Sequence, residues 1–200
     1  MSKQRAEAYA GKINLGPGDV AEAKVKPPHD EPGFAIVDQG YRKCAGLPQR
    51  PGTRWIGSPF LKVRGQHGSF EEFNSTVEVP PEGTVESGPP TKREIACLNK
   101  EIKIASEGNY GEAGGVIGAV HVEPFKLPRV HGIYLHGTRY RTSLNTEGVA
   151  IPIFIDTVHF AVPAAEVTFE GYGFGVPADY NEDARLIDLL VERAKRAGAP

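Results

Sequence analysis

The side chains best suited to chemistry in this 200-residue chain lie in its second half, around one long apolar stretch. They are four histidines and two acids: His121, Glu123, His131, His136, Asp156 and His159. Two or three imidazoles with one carboxylate are a suitable ligand set for iron, manganese, nickel or zinc. We therefore predict that the first four residues supply ligands for a divalent transition metal, and that Asp156 and His159 act as catalytic acid or base.

Spacing limits which of these ligands can meet. His121 and Glu123 are two residues apart and share one face of a strand, whereas His131 and His136 are five apart and point to opposite faces. Only one of the latter pair joins the site unless a β-bulge at Gly132 turns the chain. The donor set resembles that of the cupins, although their HxH…E…H spacing is not present. Hydrolase, lyase and dioxygenase chemistry all remain open for such a site.

The apolar stretch that carries Asp156 and His159 predicts a central strand. Both alternating sets of side chains are largely apolar between Ile151 and Val162, which is typical of a strand covered on both faces. A carboxylate buried there needs a partner, or its pKa rises. Asp156 is therefore either a structural hydrogen-bond acceptor or a functional acid, base or ligand, and the same alternatives hold for His159.

Composition favours a mainly β fold. The chain has 24 glycines and 17 prolines, which favour many turns and few long helices. We predict an antiparallel β-sandwich or barrel with a C-terminal α-helix and one further short helix. The predicted strands are 34–37, 55–63, 73–79, and an antiparallel meander of four strands over 116–169. The strand over 55–63 contains Pro59 and is expected at an edge or a bulge.

Two segments have helical signals. Residues 180–197 carry an apolar stripe after Asp179, which is placed to cap the helix. Residues 91–106 follow a capping-box pair, Thr91 and Glu94.

The first 33 residues predict an N-terminal arm, followed by a single β-rich domain over 34–200. Segments such as GPGD and KPPHDEPG contain little that can pack. A long irregular segment is unusual within one compact domain. We therefore expect the arm to lie across a neighbouring subunit, which makes the chain its own partner in a homo-oligomer.

The net charge and the cysteine content limit the binding partners and the cellular compartment that we expect for this chain. The formal net charge of −2 argues against nucleic-acid binding and against a polybasic membrane surface. The central apolar run is too short for a membrane span and contains an acid. The two cysteines, Cys44 and Cys97, form no CxxC pair, and the first residues resemble no secretory signal. These features predict a cytoplasmic protein in which both thiols are free.

Three functions follow as alternatives. The first is a structural or assembly β-domain that forms a homo-oligomer. The second is a small-molecule enzyme on a cupin-like β-barrel, with the His/Glu metal site given above. The third is a binding barrel for an apolar ligand.

Overall fold

The structure, a computed structural model, describes residues 2–28, 32–65, 69–81, 91–111, 116–125, 127, 130, 133–146 and 148–198. Within these ranges the backbone forms four helices and nine strands. In chain order they are α1 (Lys3–Gly11), β1 (Lys24–Lys26), α2 (Pro32–Ala45), β2 (Arg54–Gly57), β3 (Phe60–Arg64), β4 (Phe70–Val79), α3 (Lys92–Gly111), β5 (Val116–Ile117), β6 (His121–Pro124), β7 (Leu135–Thr146), β8 (Val149–Val162), β9 (Ala165–Phe174) and α4 (Tyr180–Ala197).

All the described strands belong to one antiparallel sheet. Its order is β1-β3-β4-β9-β8-β7-β5, while β2 also pairs with β4 and β6 also pairs with β7. The described strands do not close into a barrel, because β1 lies at one edge and β5 and β6 at the other. The predicted mainly antiparallel fold with a C-terminal helix is confirmed, in a sandwich-like arrangement in which helices rather than a second sheet cover the faces.

The predicted central strand and meander are confirmed. β8 lies between β7 and β9, and tight turns join each neighbour to the next. Gly148 has a positive φ of 80° in the turn between β7 and β8, a conformation that glycine adopts without steric cost. The single strand predicted over 55–63 is instead two strands, because Ser58 and Pro59 separate β2 from β3. The Ser58 hydroxyl accepts a 2.8 Å hydrogen bond from the Ser75 amide.

One face of the sheet holds the hydrophobic core. Its buried side chains on the three central strands of this face are Phe73, Val77, Val158, Phe160, Val167 and Phe169. α4 packs its stripe on this face through Leu186, Ile187, Leu190 and Val191. The predicted Asp179 cap is confirmed, since its side chain accepts a hydrogen bond from the Asn181 amide at 2.9 Å. We call this side the apolar face.

The N-terminal segment packs on the same apolar face of its own chain. Ala6 and Ala10 of α1, followed by Ile13, Leu15 and Val20, are buried in this core. The small alanine side chains let the helix approach the sheet closely, and the residues after it fill the remaining gap. The arm expected over residues 1–33 is thus, over residues 6–20, part of the domain core, and the reason given above for laying it across a neighbour no longer applies.

The strand predicted at Phe34–Val37 is wrong, because these residues lie inside α2. Four apolar residues do not distinguish a strand from one turn of helix, and Pro32 stands at the first helical position, where its fixed φ suits a helix.

The predicted helix at 91–106 is confirmed and extends to Gly111. Glu94 N–H donates to Thr91 Oγ1 at 3.2 Å, and Thr91 N–H donates to the Glu94 carboxylate. Among the helices that the structure describes, none is both long and apolar enough to cross a membrane.

A disulfide joins α2 to α3. Cys44 and Cys97 are bonded, with their Cα atoms 5.6 Å apart and a sequence separation of 53. The prediction of two free thiols is therefore wrong. Their wide separation gave no indication in the sequence that the two helices lie side by side.

Candidate functional site

The two predicted catalytic residues lie on opposite faces of the sheet. Asp156 and His159 are three positions apart on β8, so their side chains alternate to different sides. Asp156 points to the apolar face beneath α4, and His159 points to the other face. They do not form a joint acid–base pair.

Of the four predicted metal ligands the structure describes three, His121, Glu123 and His136, and these three do not lie together. His121 and Glu123 are exposed on the edge strand β6, and their partners in register on β7 are Arg141 and Arg139. His136 lies on the opposite face of β7 from these arginines, and His131 is outside the described residues. Among the described residues, no group of three His, Cys, Asp or Glu side chains could hold a metal ion. The original ligand set stays a prediction.

A buried ionic cluster surrounds Asp156. Arg139 donates two hydrogen bonds to its carboxylate, from Nε and from Nη2, each 2.5 Å long. Asp183 of α4 lies beside this pair and is also fully buried. Gly171 on β9 makes room for it, since a Cβ there would stand 2.4 Å from Asp183 Oδ1. The cluster thus connects α4 to the sheet.

Asp183 is held in its neutral form. Burial, and next the negative charge of Asp156, raise the pKa of Asp183 to about 9. Neither Asp183 oxygen accepts a hydrogen bond from any described residue. A protonated carboxyl that donates to Asp156 accounts for both observations. Because both carboxyls are enclosed, we assign this cluster a structural role.

The other side of the sheet, which we call the polar face, is lined mainly by hydrogen-bonding side chains. They come from β4, β7, β8 and β9, and strand register places them side by side. They are Asn74, Thr76, Glu78, His136, Thr138, Tyr140, Thr157, His159, Thr168, Glu170 and Tyr172. Five of these eleven residues are buried and the other six are half-buried, although such groups are usually exposed in a sheet.

The disulfide-linked helix pair and its flanking segment lie over the polar face. Asn99 of α3 accepts a 3.3 Å hydrogen bond from the Tyr140 hydroxyl. Arg50, which follows α2, contacts Glu166 at 2.7 Å and Glu78 at 3.5 Å. These contacts attach the helix pair and the segment after α2 to both ends of the polar face.

Burial shifts Glu78 and Tyr140 of this layer towards their neutral forms. The pKa of Glu78 rises to about 8, chiefly through burial and next through the charge of Glu166, and the Arg50 guanidinium offsets only part of this shift. Burial, together with the charge of Glu170, raises the pKa of the Tyr140 phenol. The polar face is thus a poorly solvated environment in which hydrogen bonds are strong.

His136 and His159 stand directly opposite each other on β7 and β8. Each ring has one nitrogen near a threonine hydroxyl: His159 Nδ1 is 2.9 Å from Thr168 Oγ1, and His136 Nε2 is 3.3 Å from Thr138 Oγ1. Burial lowers the pKa of both, that of His159 to about 4, so both imidazoles are neutral near pH 7.

Two polar atoms of this face are enclosed without a partner among the described residues. They are His159 Nε2 and Asn74 Oδ1. A small crevice of about 160 Å³ lies where α2 and its following segment meet β2. Its lining mixes an aromatic ring with hydrogen-bonding groups and includes Asp38, Gln39, Gln49, Arg50 and Trp55.

Comparison of the chain with protein-family models, curated proteins and solved structures returned no match. The site is therefore defined by its own geometry. Sequence reasoning missed the polar face as a unit. Alternating polar residues on β4 are typical of a solvent-exposed strand face, and only the contacts from α2 and α3 reveal that this face is covered.

Proposed function

We propose that this protein is a binding domain for a small polar ligand, which is held between the polar face and the helix pair α2–α3. The observation that carries the proposal is the buried polar layer itself, in which Asn74 Oδ1 and His159 Nε2 have no partner among the described residues. Buried polar atoms in folded proteins are nearly always paired, and unpaired ones indicate a bound water, ion or ligand.

The chemistry of the lining indicates the class of ligand. Hydroxyl, imidazole and carboxyl groups dominate it, and Tyr172 donates a 3.0 Å hydrogen bond to Glu170. A ligand with several donors and acceptors matches such a surface, whereas an apolar ligand would leave these groups without partners at a cost of about 1–3 kcal/mol each. The polar ligand thus replaces the apolar one expected from the sequence.

The proposal is tested by screening the oxidised full-length chain by thermal shift against a panel of sugars, amino acids, dicarboxylates and nucleosides. We expect at least one class to raise the melting temperature and to bind in calorimetry. Tyr172→Phe removes the hydroxyl that bonds Glu170 and should weaken that binding about tenfold.

The matched control is Tyr134→Phe, which removes an equivalent hydroxyl from an exposed side chain outside β7. It should leave the affinity unchanged. The proposal fails if no compound in the panel stabilises the protein, or if Tyr172→Phe binds every hit as tightly as the original chain does.

We also propose that the domain works in an oxidising compartment rather than in the cytoplasm. The Cys44–Cys97 disulfide supports this, since such bonds persist outside reducing compartments. Thiol titration of unfolded protein, purified without reductant under alkylating conditions, should detect no free thiol. Two free thiols per chain would instead support the cytoplasmic location predicted from the sequence.

Self-association remains a second candidate function, in which this chain is its own partner. It is supported by the open edge at β6, where Val122 is exposed, and by exposed Tyr180 near the end of that strand. An unpaired edge with apolar side chains is a template for another strand. Sedimentation should then show a dimer that Val122→Lys converts to monomer; a monomer at all concentrations would contradict it.

A further inference from the structure

We propose that His136 and His159 form a two-imidazole site for a late divalent transition-metal ion, such as Ni²⁺, Cu²⁺ or Zn²⁺. This pairing differs from the ligand set expected from the sequence, in which His136 joined the residues of β6. It shares the unpaired His159 Nε2 with the small-molecule proposal but does not rest on that proposal, and it is tested with the metal ion alone.

Strand register places the two histidines side by side. His136 and His159 are direct cross-strand neighbours on the same face. The Cβ atoms of such neighbours lie about 4.5–5.5 Å apart. Two imidazoles at that spacing reach one ion at the usual Zn–N distance of about 2.0–2.1 Å.

The hydrogen bonds of both rings leave one nitrogen available on each. Thr168 occupies Nδ1 of His159 and Thr138 lies at Nε2 of His136, so Nε2 of His159 and Nδ1 of His136 remain as ligand atoms. Nε2 of His159 is buried and has no partner among the described residues. Metal-binding histidines generally use their second nitrogen for such an orienting hydrogen bond.

The residues in register with the two rings are uncharged, unlike those at the edge strand. They are Thr168 on β9, which pairs with His159, and Thr76 on β4, which pairs with Thr168. By contrast, His121 and Glu123 face the positive charges of Arg141 and Arg139. A tetrahedral ion held by two imidazoles retains two positions for water or another ligand.

The test is calorimetric titration of the oxidised, metal-free full chain with ZnCl₂. We expect one ion per chain, and loss of that binding in both His136→Gln and His159→Gln. Thr168→Val keeps both ligands but removes the orienting hydroxyl, and should weaken binding about 10–100-fold. His121→Gln, on the exposed edge strand, is the matched control and should bind as the original chain does.

A second measurement does not depend on how the variants fold. Zn²⁺ added to the unaltered chain should shift the imidazole nitrogen resonances of His136 and His159 in long-range ¹H–¹⁵N spectra. The proposal is overturned if Zn²⁺ does not bind, if it shifts only other histidines, or if His121→Gln alone abolishes binding. A chain that binds a polar compound but no Zn²⁺ would overturn this proposal and leave the preceding one intact.

Discussion

Gly171 and Asp183 show how one missing side chain permits a buried carboxyl. The Asp183 carboxyl fills the space where a Cβ on Gly171 would lie, at 2.4 Å from Oδ1. From the sequence alone, the Gly171–Gly175 segment indicates only a flexible exit from the strand, and Asp183 looks like an ordinary acid in the first turn of a helix. Their meeting depends on the docking of α4, which no local pattern encodes.

Gly171→Ala should destabilise the protein by about 1–3 kcal/mol, because the added methyl displaces Asp183 and with it the start of α4. Chemical denaturation measures this change. Gly11→Ala is the control: a Cβ there meets nothing within 4 Å, and it should leave stability unchanged or slightly raised. Equal effects of the two substitutions would contradict the described position of Asp183.

Asp183 should also make the protein less stable as the pH rises. Its pKa is raised to about 9 in the folded state and is near 4 when unfolded, so the folded state holds a proton that the unfolded state releases. The free energy of unfolding should therefore fall between about pH 4 and pH 9, by at most about 1.4 kcal/mol per pH unit from this group.

Asp183→Asn removes the ionisable group while keeping a donor for Asp156. Its free energy of unfolding should depend less on pH, and at pH 8 it should be at least as stable as the original chain. Glu78, whose pKa is also raised, leaves a residual slope in the same direction. The free energy of unfolding is measured by urea denaturation at several pH values between 5 and 8. If it changes with pH as much in Asp183→Asn as in the original chain, Asp183 is ionised in the folded protein.

At the scale of elements, the disulfide determines how firmly α2 and α3 cover the polar face. It closes a segment with a sequence separation of 53 residues, for which the chain-entropy contribution is about 4 kcal/mol. The double variant Cys44→Ser with Cys97→Ser should unfold at a lower denaturant concentration. Hydrogen exchange should show protection lost first in α2 and α3, while β7, β8 and β9 stay protected.

Adding reductant to the original chain should reproduce this behaviour, and it should have no effect on the double variant. If protection fell equally in the sheet and the helices, the helix pair would be part of one cooperative unit rather than a separately held cover.

The elements that sequence reasoning predicted well are those that depend on local pattern. Within the meander over 116–169, β7, β8 and β9 each pair with the strand next to them in sequence, and α4 has both a cap and a stripe. α2 was missed because four apolar residues fit either period. The polar face could not be predicted, since it requires strands from both halves of the chain and a cover tied by a long-range disulfide.

At the scale of the whole molecule, the N-terminal segment belongs to the core of its own chain. Ile13 is fully buried, whereas neighbouring Lys12 is exposed. Ile13→Ala should cost about 2–5 kcal/mol, and Lys12→Ala less than about 0.5 kcal/mol. Thermal unfolding of both variants measures the difference.

The midpoint of unfolding of the original chain should not change over a wide range of protein concentration, because this segment packs within one chain. A midpoint that rises with protein concentration would instead support the expectation that the N-terminal arm lies across a neighbouring subunit.

The ion pair between Asp19 and Arg193 of α4 limits the order in which the chain can fold during synthesis. Arg193 binds the Asp19 carboxylate with two hydrogen bonds of 2.6 and 2.7 Å, across a sequence separation of 174 residues. The segment around Asp19 therefore cannot complete this contact until α4, 174 positions further along the chain, has been synthesised. Domains form during translation only once their contacting partners have emerged, so this ion pair forms late although Asp19 is made early.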